Sequence, residues 1–428
     1  MVTDFDALDF FRDNSFISDP YPYFDHLRDR CPVTSEPHHG VMMVTGWDEA
    51  AAVYKDSNTF SSCNSVSGPF PGFPVPLEGD DVSGLIEQYR HQLPFSDQIT
   101  CLDPPEHTDF RSLLMRLLTP KRLKENEDAM WRLADRQLDG FADQGECEFI
   151  SMYSAPFTMA VIGDLLGMPE DEWDPWNTKS QQRGGEDYPA MVGSTSMSME
   201  HSPLESLQDQ FRAYIEDRRR EPRQDVLTSI ANTTFPDGTL PPVDIPARVA
   251  TNLFAAGQET TVRLLGAALQ RLGEDAELQR LLRNERERIP NFVEEVLRHE
   301  SPVKGDFRLA RRATTIGGVE IAAGTTVMVL NGAASRDPRR FECPAEFRVD
   351  RPNAREHLAF GRGIHSCPGG PLARAETRVS IERLFDRTND IRISERFHGP
   401  AGDRHYDYFP TYVLRGLTQL HLEFTPVS

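Results

Sequence analysis

Helical periodicity dominates the pattern of apolar and polar residues along the chain. Four leucines between positions 113 and 118 recur at helical spacing and predict a helix over residues 105–123. A similar pattern predicts a helix over residues 371–385. Short apolar runs next to turn residues predict a strand over residues 41–44 and small strands around glycine-rich turns beyond residue 315. Residues 417–424 alternate apolar and polar side chains, as a half-buried strand does. We therefore expect a mainly α fold of the α+β class, with small sheets.

The longest predicted helix covers residues 244–272. Asp244 can cap its first turn, Pro246 is tolerated there, and Gly273 follows the predicted end. At about 1.5 Å per residue, the helix is roughly 40 Å long. Its middle is apolar almost all round, which predicts that it is buried and crosses the centre of the molecule.

Two stretches carry neither helix nor strand signals. Residues 68–76 contain four prolines and two glycines and predict a loop. Residues 193–199, rich in Ser and Met, predict either a flexible connector or a mobile lid. Neither an internal repeat nor an interdomain linker is evident, so we expect residues 1–428 to form a single domain.

Charge and cysteine usage exclude several classes of protein. The chain has 46 basic and 67 acidic residues, a formal charge of −21, which argues against binding nucleic acid or an anionic membrane. The N-terminus has no signal-peptide pattern, and no run of about 18 apolar residues occurs, so we expect a cytoplasmic protein. The six cysteines are far apart and match neither a zinc pattern nor a disulfide framework. We expect a monomer.

The strongest chemical signal is the run FGRGIHSCPG at residues 360–369. Its glycines allow a close approach of the backbone to something flat or bulky. Cys367 lies just before a predicted helix, where the helix dipole and free N–H groups favour a thiolate. Such a thiolate is either a nucleophile or a metal ligand, and the structural alternative is a buried cysteine in a glycine-rich turn.

This run resembles the haem-binding loop of the cytochromes P450, F-G-x-G-x-H-x-C-x-G. All fixed positions match, and so does the Leu-Ala pair that follows: Phe360, Gly361, Gly363, His365, Cys367, Gly369, Leu372 and Ala373. The resemblance implies a P450 fold, in which a helical domain with small β-sheets encloses haem b, with Cys367 as the axial ligand of the iron. It also extends from residues 19–24, DPYPYF, to residues 336–338, RDP, and the start of the chain resembles the soluble bacterial members.

A second motif, AGQETT, occupies residues 256–261 in the long predicted helix. Gly257 costs about 1 kcal/mol in a helix interior and therefore needs a reason, such as opening room beside the backbone. The Thr260 hydroxyl can bond a carbonyl one turn earlier or point into that opening. The motif resembles the acid–alcohol pair of the P450 helix that crosses the distal face of the haem. The resemblance implies catalytic roles, in which Thr260 holds the oxygen ligand and its water and Glu259 supplies protons.

Further residues are assigned by the same resemblance. Glu295 and Arg298 share a helix face, and they resemble a buried structural pair that Arg351 completes. Glu294 is also within reach of Arg298, and the spacing favours Glu295. Besides Phe360, Gly361 and Gly369 of the loop, the haem-binding residues implied are the propionate partners His107, Arg111, Arg308 and His365.

Substrate contacts can be suggested only by position. The candidates are Phe70, Phe73, Val75, Met191, Met197, Met199, Phe254, Ala255 and Val303, with Lys304 as a partner for a substrate carboxylate. Apolar and Met-rich, they indicate a hydrophobic small molecule, such as a terpenoid, a steroid, a fatty acid or an aromatic compound.

The resemblance implies a haem-thiolate monooxygenase that activates O₂ and hydroxylates such a molecule. Since no GxGxxG motif follows a strand, electrons must come from outside, through a ferredoxin and a ferredoxin reductase that draws on NAD(P)H. A basic stretch without acidic residues predicts where an acidic partner docks, and Arg362 and Arg374 flank Cys367. This stretch comprises Arg111, Arg116, Lys121, Arg122 and Lys124. The alternatives are a peroxygenase and a non-catalytic haem sensor or carrier, neither of which needs the Glu259–Thr260 pair.

Overall fold

The computed structural model describes residues 4–170, 204–235 and 237–427. The predicted connector or lid over residues 193–199, with Met191, Met197 and Met199, lies outside these ranges. Short 3₁₀ turns include Ile99–Cys101 and Gly363–His365, and a π-helical turn, Ile150–Ser154, precedes α7. The helices are α1 (Ser15–Ser18), α2 (Tyr21–Arg30), α3 (Trp47–Lys55), α4 (Ser83–Tyr89), α5 (Glu106–Met115), α6 (Pro120–Asp139), α7 (Ala155–Leu166), α8 (Glu205–Arg220), α9 (Val226–Ala231), α10 (Asp244–Glu274), α11 (Ala276–Asn284), α12 (Ile289–Glu300), α13 (Asn331–Ala334), α14 (Gly370–Arg387) and α15 (Glu395–His398).

Three small sheets accompany the helices. The strands are β1 (Val33–Ser35), β2 (Met42–Val44), β3 (Phe60–Ser61), β4 (Glu146–Glu148), β5 (Asp306–Ala310), β6 (Thr314–Ile316), β7 (Val319–Ile321), β8 (Thr326–Val329), β9 (Thr388–Ile393) and β10 (His421–Pro426). They form a five-stranded sheet in the order β1-β2-β8-β5-β3, a three-stranded sheet β4-β10-β9 and a hairpin β6-β7. Among the strands of the described residues, only β2 and β8 pair in parallel. The mainly helical class with small sheets is confirmed, although the last strand begins at residue 421 rather than 417.

The single helix predicted over residues 105–123 is wrong, because two helices occupy this stretch. α5 ends at Met115, and α6 begins at Pro120. Thr119 is extended, with ψ of 150°, and its hydroxyl accepts the N–H of Arg122 at 3.4 Å. A residue before proline avoids the helical conformation, whereas proline itself suits the first helical position. The leucine spacing continued across a break that Pro120 signals.

α10 is the central helix, as predicted. It packs against α5, α7, α8, α12 and α14, and the largest apolar core surrounds it. Asp244 does not cap it: Val243 holds the cap position, and Asp244 pairs with Arg212 at 2.7 Å. The helix also continues past Gly273 to Glu274. Glycine at position 273 has a packing role, because a Cβ there would lie 2.7 Å from Ile393 of β9 and the absence of a side chain lets the helix and the strand pack closely.

The other predicted features are placed as follows. Residues 68–76 form a loop between β3 and α4. α14 begins directly after the Cys367 loop. Among the residues that the structure describes, no helix is both long and apolar enough to cross a membrane.

Candidate functional site

A cavity of about 280 Å³ lies between the middle of α10 and the loop that contains Cys367. Ala256 of α10 is exposed, and Gly257 and Thr260 beside it are only half-buried. This explains why an apolar helix is unpacked at its middle: it faces the cavity. From the opposite side, Phe360, Gly361, His365, Cys367, Pro368 and Gly369 line the same space.

Two glycines shape the Cys367 loop. Gly361 and Gly363 have φ of 61° and 73°, in the left-handed region that favours glycine. A Cβ at position 363 would overlap the carbonyl oxygen of Tyr54, whereas a Cβ at position 361 would meet nothing within 4 Å. Gly361 therefore leaves its side of the cavity free for a flat group. The N–H of Cys367 donates to the carbonyl of Phe360 at 2.8 Å and closes the loop.

The thiol of Cys367 faces the cavity, but its electrostatic surroundings do not favour the thiolate. Burial raises the pKa of Cys367 above its usual value, and the N–H groups of Gly369 and Gly370, together with the charge of Arg111, compensate only in part. The N–H groups at the start of α14 thus favour the thiolate, as expected, but burial has the larger effect on the pKa. A cation bound in the cavity would reverse the balance, since a coordinating thiol is deprotonated.

Two histidines form a polar end of the cavity. The rings of His107 and His365 lie 4.1 Å apart between centroids, and each has a buried Nε2 without a hydrogen-bond partner among the described residues. Burial, then the charge of Arg111, lowers the pKa of His107 to about 4. Burial, then the charge of Arg308, lowers the pKa of His365 to about 2. Both rings are neutral near pH 7 and offer hydrogen bonds rather than charge.

Arg111 and Arg308 are placed differently. Arg111 lines the cavity and donates to the carbonyl of Ser366 at 2.5 Å. Arg308 does not line it: its guanidinium donates to the carbonyl of Phe307 at 2.6 Å and lies 3.4 Å from Asp306. Of the four predicted propionate partners, three therefore meet at the cavity.

Two further residues at this cavity were not predicted from the sequence. Asp306 and Asn331 both line it, and both accept from the hydroxyl of Tyr54, at 2.9 and 2.6 Å. Burial raises the pKa of Asp306. A signal existed for Asp306, because it is two positions before Arg308 on β5 and alternate residues of a strand share a face.

A buried carboxylate fixes the approach to α5. Asp103 accepts from Ser61 at 2.5 Å and from the N–H of Ser62 at 2.8 Å. It also accepts from Arg90 at 2.9 Å and from Arg311 at 2.6 Å. Asp103 lies one turn before His107, and its carboxylate is held by these four donors. It therefore fixes the start of α5 and thereby positions His107.

The acid and the alcohol of α10 point in different directions. Thr260 lines the cavity, and its hydroxyl donates to the carbonyl of Ala256 at 3.0 Å. Glu259 does not line the cavity, and its carboxylate accepts from the guanidinium of Arg263. A Cβ on Gly257 would lie 3.3 Å from Ile162 of α7. The room that Gly257 opens therefore lets α7 and α10 pack closely.

Comparison with known proteins bears on this arrangement. The cytochrome P450 family model matches residues 196–388. The solved structure of Mycobacterium marinum cytochrome P450 CYP150A6, in the substrate-free form, has a TM-score of 0.93 and 56% identity, covering 99% of this chain and 100% of that one. Cytochrome P450 144 of Mycobacterium tuberculosis is 32% identical over 91% of this chain and 87% of its own length. This chain belongs to the cytochrome P450 family.

The relatives also indicate the type of chemistry. The 6-deoxyerythronolide B hydroxylase of Saccharopolyspora erythraea is 32% identical over 87% of this chain and 90% of its own length. The P450 described here is accordingly a haem-dependent oxidoreductase of the monooxygenase type.

The cavity of this P450 fits a haem. Cys367 presents a thiol whose pKa is raised by burial and would be lowered by a bound cation, and Gly361 leaves a flat face free. The unpartnered Nε2 atoms of His107 and His365 need hydrogen-bond partners, and in the tautomer that protonates Nε2 they can donate to the carboxylates of a haem. Arg111 adds a charge that suits a carboxylate.

The buried pair of α12 has the predicted partners. Arg298 donates to both carboxylate oxygens of Glu295 at 2.7 Å, and Arg351 donates to Glu295 at 3.0 Å. Glu294 instead accepts from Arg374 of α14 at 2.7 Å and contacts His357 at 3.1 Å. The guanidinium of Arg374 lies 4.6 Å from the ring centroid of Phe360, so this second acid supports the Cys367 loop from behind.

Among the predicted substrate contacts that the structure describes, most do not line the cavity. Val303 does. Phe70 packs on Phe11, with 5.9 Å between ring centroids, and Phe254 packs on Phe211 at 5.6 Å. Phe73, Val75 and Ala255 are also absent from the cavity wall. The α10 residues that do line it follow a helical period that could have identified them: Asn252, Leu253, Ala256, Gly257, Thr260, Thr261 and Leu264.

Lys304 is also turned away from the cavity. It is 2% exposed, and its Nζ donates to the carbonyl of Thr411 at 2.6 Å. Burial, then the charges of Arg415 and Arg263, lowers the pKa of Lys304 to about 7. Lys304 therefore neither meets a substrate carboxylate nor reaches water in this structure.

Proposed function

We propose that this P450 takes electrons from an acidic ferredoxin and hydroxylates a hydrophobic small molecule held between α10 and the Cys367 loop. The observation that carries the proposal is the cavity itself, which has a cysteine thiol on one side and Thr260 on the other, with apolar side chains between them. NAD(P)H supplies the electrons through a ferredoxin reductase. The name of the related hydroxylase supports insertion of a hydroxyl group.

The chain's own residues have distinct tasks in this proposal. Haem iron with a thiolate ligand supplies the activation of O₂. Cys367 binds the iron, while His107, His365 and Arg111 bind the haem carboxylates. Thr260 donates its proton to Ala256, so its oxygen lone pairs are available to accept a hydrogen bond from the cavity side. Glu259 supplies protons after it leaves Arg263.

The substrate class follows from the apolar wall. Ile99, Leu253, Ala256, Leu297 and Val303 line the cavity, and such a wall selects for apolar surface rather than charge. A terpenoid, a steroid, a fatty acid or an aromatic compound meets this requirement.

The electron donor is proposed from surface charge. Arg116, which follows α5, and Lys121 and Lys124 of α6 are exposed, and α6 packs against α14, the helix that follows Cys367. Ile364, in the Cys367 loop, is also exposed and adds apolar surface. Complementary charge mainly accelerates association, so an acidic ferredoxin fits this face.

We also propose that residues 1–428 form one haem domain. The largest apolar core includes residues from Ile99 to Phe424 and thus joins early and late parts of the chain. This supports a single folding unit around the cavity.

The test is the absorption of the reduced carbon monoxide complex. The protein should show the shifted band that gives the P450 family its name, and Cys367→Ser should lose it. Cys343→Ser is the matched control, because Cys343 is another free cysteine and lies outside the cavity. Retention of the band in Cys367→Ser would show that another residue binds the iron. With ferredoxin, reductase and NADPH, a hydrophobic substrate should yield product; turnover supported by peroxide alone would indicate a peroxygenase.

A further inference from the structure

Two side chains of α10 hold a short segment of chain over one end of the cavity. Arg248 lies 3.6 Å from the carboxylate of Asp97, and its guanidinium lies 5.5 Å from the ring centroid of Phe110. One turn later, the Oδ1 of Asn252 accepts the backbone N–H of Ile99 at 3.1 Å. Arg248 and Asn252 therefore attach residues 97–101 to the N-terminal half of α10.

The hydrogen bond from Ile99 satisfies a donor that the turn itself cannot satisfy. Ile99 is the first residue of the Ile99–Cys101 turn, and no side chain caps that turn. The first N–H groups of a helical turn have no partner within it. Ile99 is also buried, so a lost acceptor would leave a buried donor unpaired.

Asn252 is committed to the protein at both ends of its amide. Its Nδ2 donates to the carbonyl of Arg248 at 2.7 Å, while its Oδ1 accepts from Ile99. Asn252 lines the cavity, and both its amide nitrogen and its amide oxygen have a partner in the protein. Its amide is therefore placed to position the turn.

The turn itself forms part of the cavity wall. Ile99 and Thr100 line the cavity together with Leu253 and Ala256 of α10. The far end of the turn is fixed independently, because Arg90 donates to the carbonyl of Cys101 and to Asp103. A shift of the near end would therefore widen the cavity between the turn and α10.

We propose that Asn252 sets the size of molecule that the cavity accepts, by holding the Ile99–Cys101 turn against α10. Asn252 is in this sense a positioning residue for specificity. The inference rests on the proposed function, because it concerns the same haem cavity.

The test compares two replacements of similar size in the holoenzyme. Asn252→Leu removes both the acceptor for Ile99 and the donor to Arg248 and nearly conserves the volume. Asn252→Asp loses the same donor but keeps an oxygen acceptor, so the comparison of the two variants isolates the acceptor. Absorbance titrations with imidazole, 4-phenylimidazole and clotrimazole measure size selection without knowledge of the natural substrate. We expect Asn252→Leu to shift the ratio of clotrimazole to imidazole affinity by about tenfold in favour of clotrimazole, and Asn252→Asp to stay within about twofold of the parent.

Hydrogen exchange provides a readout that does not depend on ligands. The amide of Ile99 should exchange about tenfold faster in Asn252→Leu and at the parental rate in Asn252→Asp. An unchanged exchange rate in Asn252→Leu, an unchanged or reversed azole ratio, or equal effects of the two replacements would overturn the inference. If the parent protein gives no azole-induced absorbance change at all, the proposed haem function fails instead, while hydrogen exchange still reports on the turn.

Discussion

The carboxylate of Glu259 is paired with the guanidinium of Arg263, one helical turn further along α10, and is off the cavity wall that Thr260 lines. Arg263 is fixed in its turn, because its guanidinium lies 4.6 Å from the ring centroid of Phe409. A Cβ on Gly416 would overlap the stem of Arg263, so the chain leaves room for this side chain. Glu259 can thus deliver a proton to the cavity only after it breaks a specific ion pair.

Glu259→Gln should separate proton delivery from folding. The glutamine amide oxygen can still accept from Arg263, so the packing is retained, but no carboxylate proton is available. We expect kcat to fall by about a hundredfold, with unchanged substrate affinity, since general acid catalysis contributes that order of magnitude. Product formation per unit time and substrate titration measure the two quantities. Parental kcat in this variant would remove Glu259 from the mechanism.

Thr260→Ala should uncouple electron consumption from hydroxylation. The variant loses the hydroxyl at the cavity wall, so we expect it to bind substrate and consume NADPH while most of the electrons appear as hydrogen peroxide. Thr251→Ala is the matched control, because Thr251 makes the same bond to a carbonyl one turn earlier, at 2.9 Å, but does not line the cavity. The ratio of product to NADPH decides the matter: equal coupling in the two variants would contradict the role of Thr260.

Charge reversal on the basic surface should slow electron transfer. Arg122 donates to the carbonyl of Arg116 at 3.0 Å and so supports the end of α5, which makes Arg116 and Lys124 the better positions for reversal. We expect Arg116→Glu with Lys124→Glu to lower the rate of reduction by an acidic ferredoxin by about tenfold at low salt, without a change in substrate affinity. The parental rate should itself fall as salt rises, because the Debye length is about 10 Å at 0.1 M.

A reversal elsewhere controls for the overall change in charge. Arg220 is exposed at the end of α8, which packs on α9 and α10. Arg220→Glu should leave the stopped-flow reduction rate unchanged. A reduction rate that changes neither with salt nor with the Arg116→Glu and Lys124→Glu reversals would place the ferredoxin on another surface.

Lys304→Met should change how stability depends on pH. The folded protein holds Lys304 with a pKa of about 7, against 10.5 for an ordinary lysine. Between these values the unfolded chain binds a proton that the folded protein does not, so stability falls as the pH is lowered from about 10.5 to about 7. Removing the lysine abolishes its contribution to the slope of the free energy of unfolding against pH, which is up to about 1.4 kcal/mol per pH unit.

The measurement is the Tm of parent and variant between pH 7 and pH 10. The difference between Lys304→Met and the parent should shift in favour of the variant as the pH is lowered. Lys55→Met, at the exposed end of α3, controls for the loss of a lysine. A difference that is flat across this range would contradict the assigned pKa of Lys304.

Local patterns predicted the elements but not all of their ends. The central position of α10 follows from an apolar sequence with no polar face, and the Cys367 loop from its resemblance to the haem-binding loop of the P450 family. Leucine periodicity continues through Pro120 and therefore hides the break between α5 and α6. Gly273 has the position of a helix stop signal, although it serves close packing on Ile393.

Side-chain direction was the harder part of the site. Glu295 could be chosen over Glu294 because both partners are on one helix and spacing decides. Arg308 and Lys304 could not be placed, since their directions depend on Asp306 and on the carbonyl of Thr411, which come from tertiary contacts. Ala256 lines the cavity, whereas its neighbour Ala255 does not. A helical wheel anchored on Thr260 predicts this difference, because Ala256 lies one turn before Thr260 on the same face.

The contact between Gly257 and Ile162 bears on how such enzymes diverge. Gly257 has no side chain, so the side chain of Ile162 in α7, which does not line the cavity, packs directly against the backbone of α10 and helps to set the position of that helix. A shorter residue at position 162 allows α10 to move towards α7, and a longer one pushes α10 away from α7. The shape of the cavity therefore depends partly on a residue that does not line it. Natural variants that differ only at this contact between α7 and α10 can differ in what they oxidise.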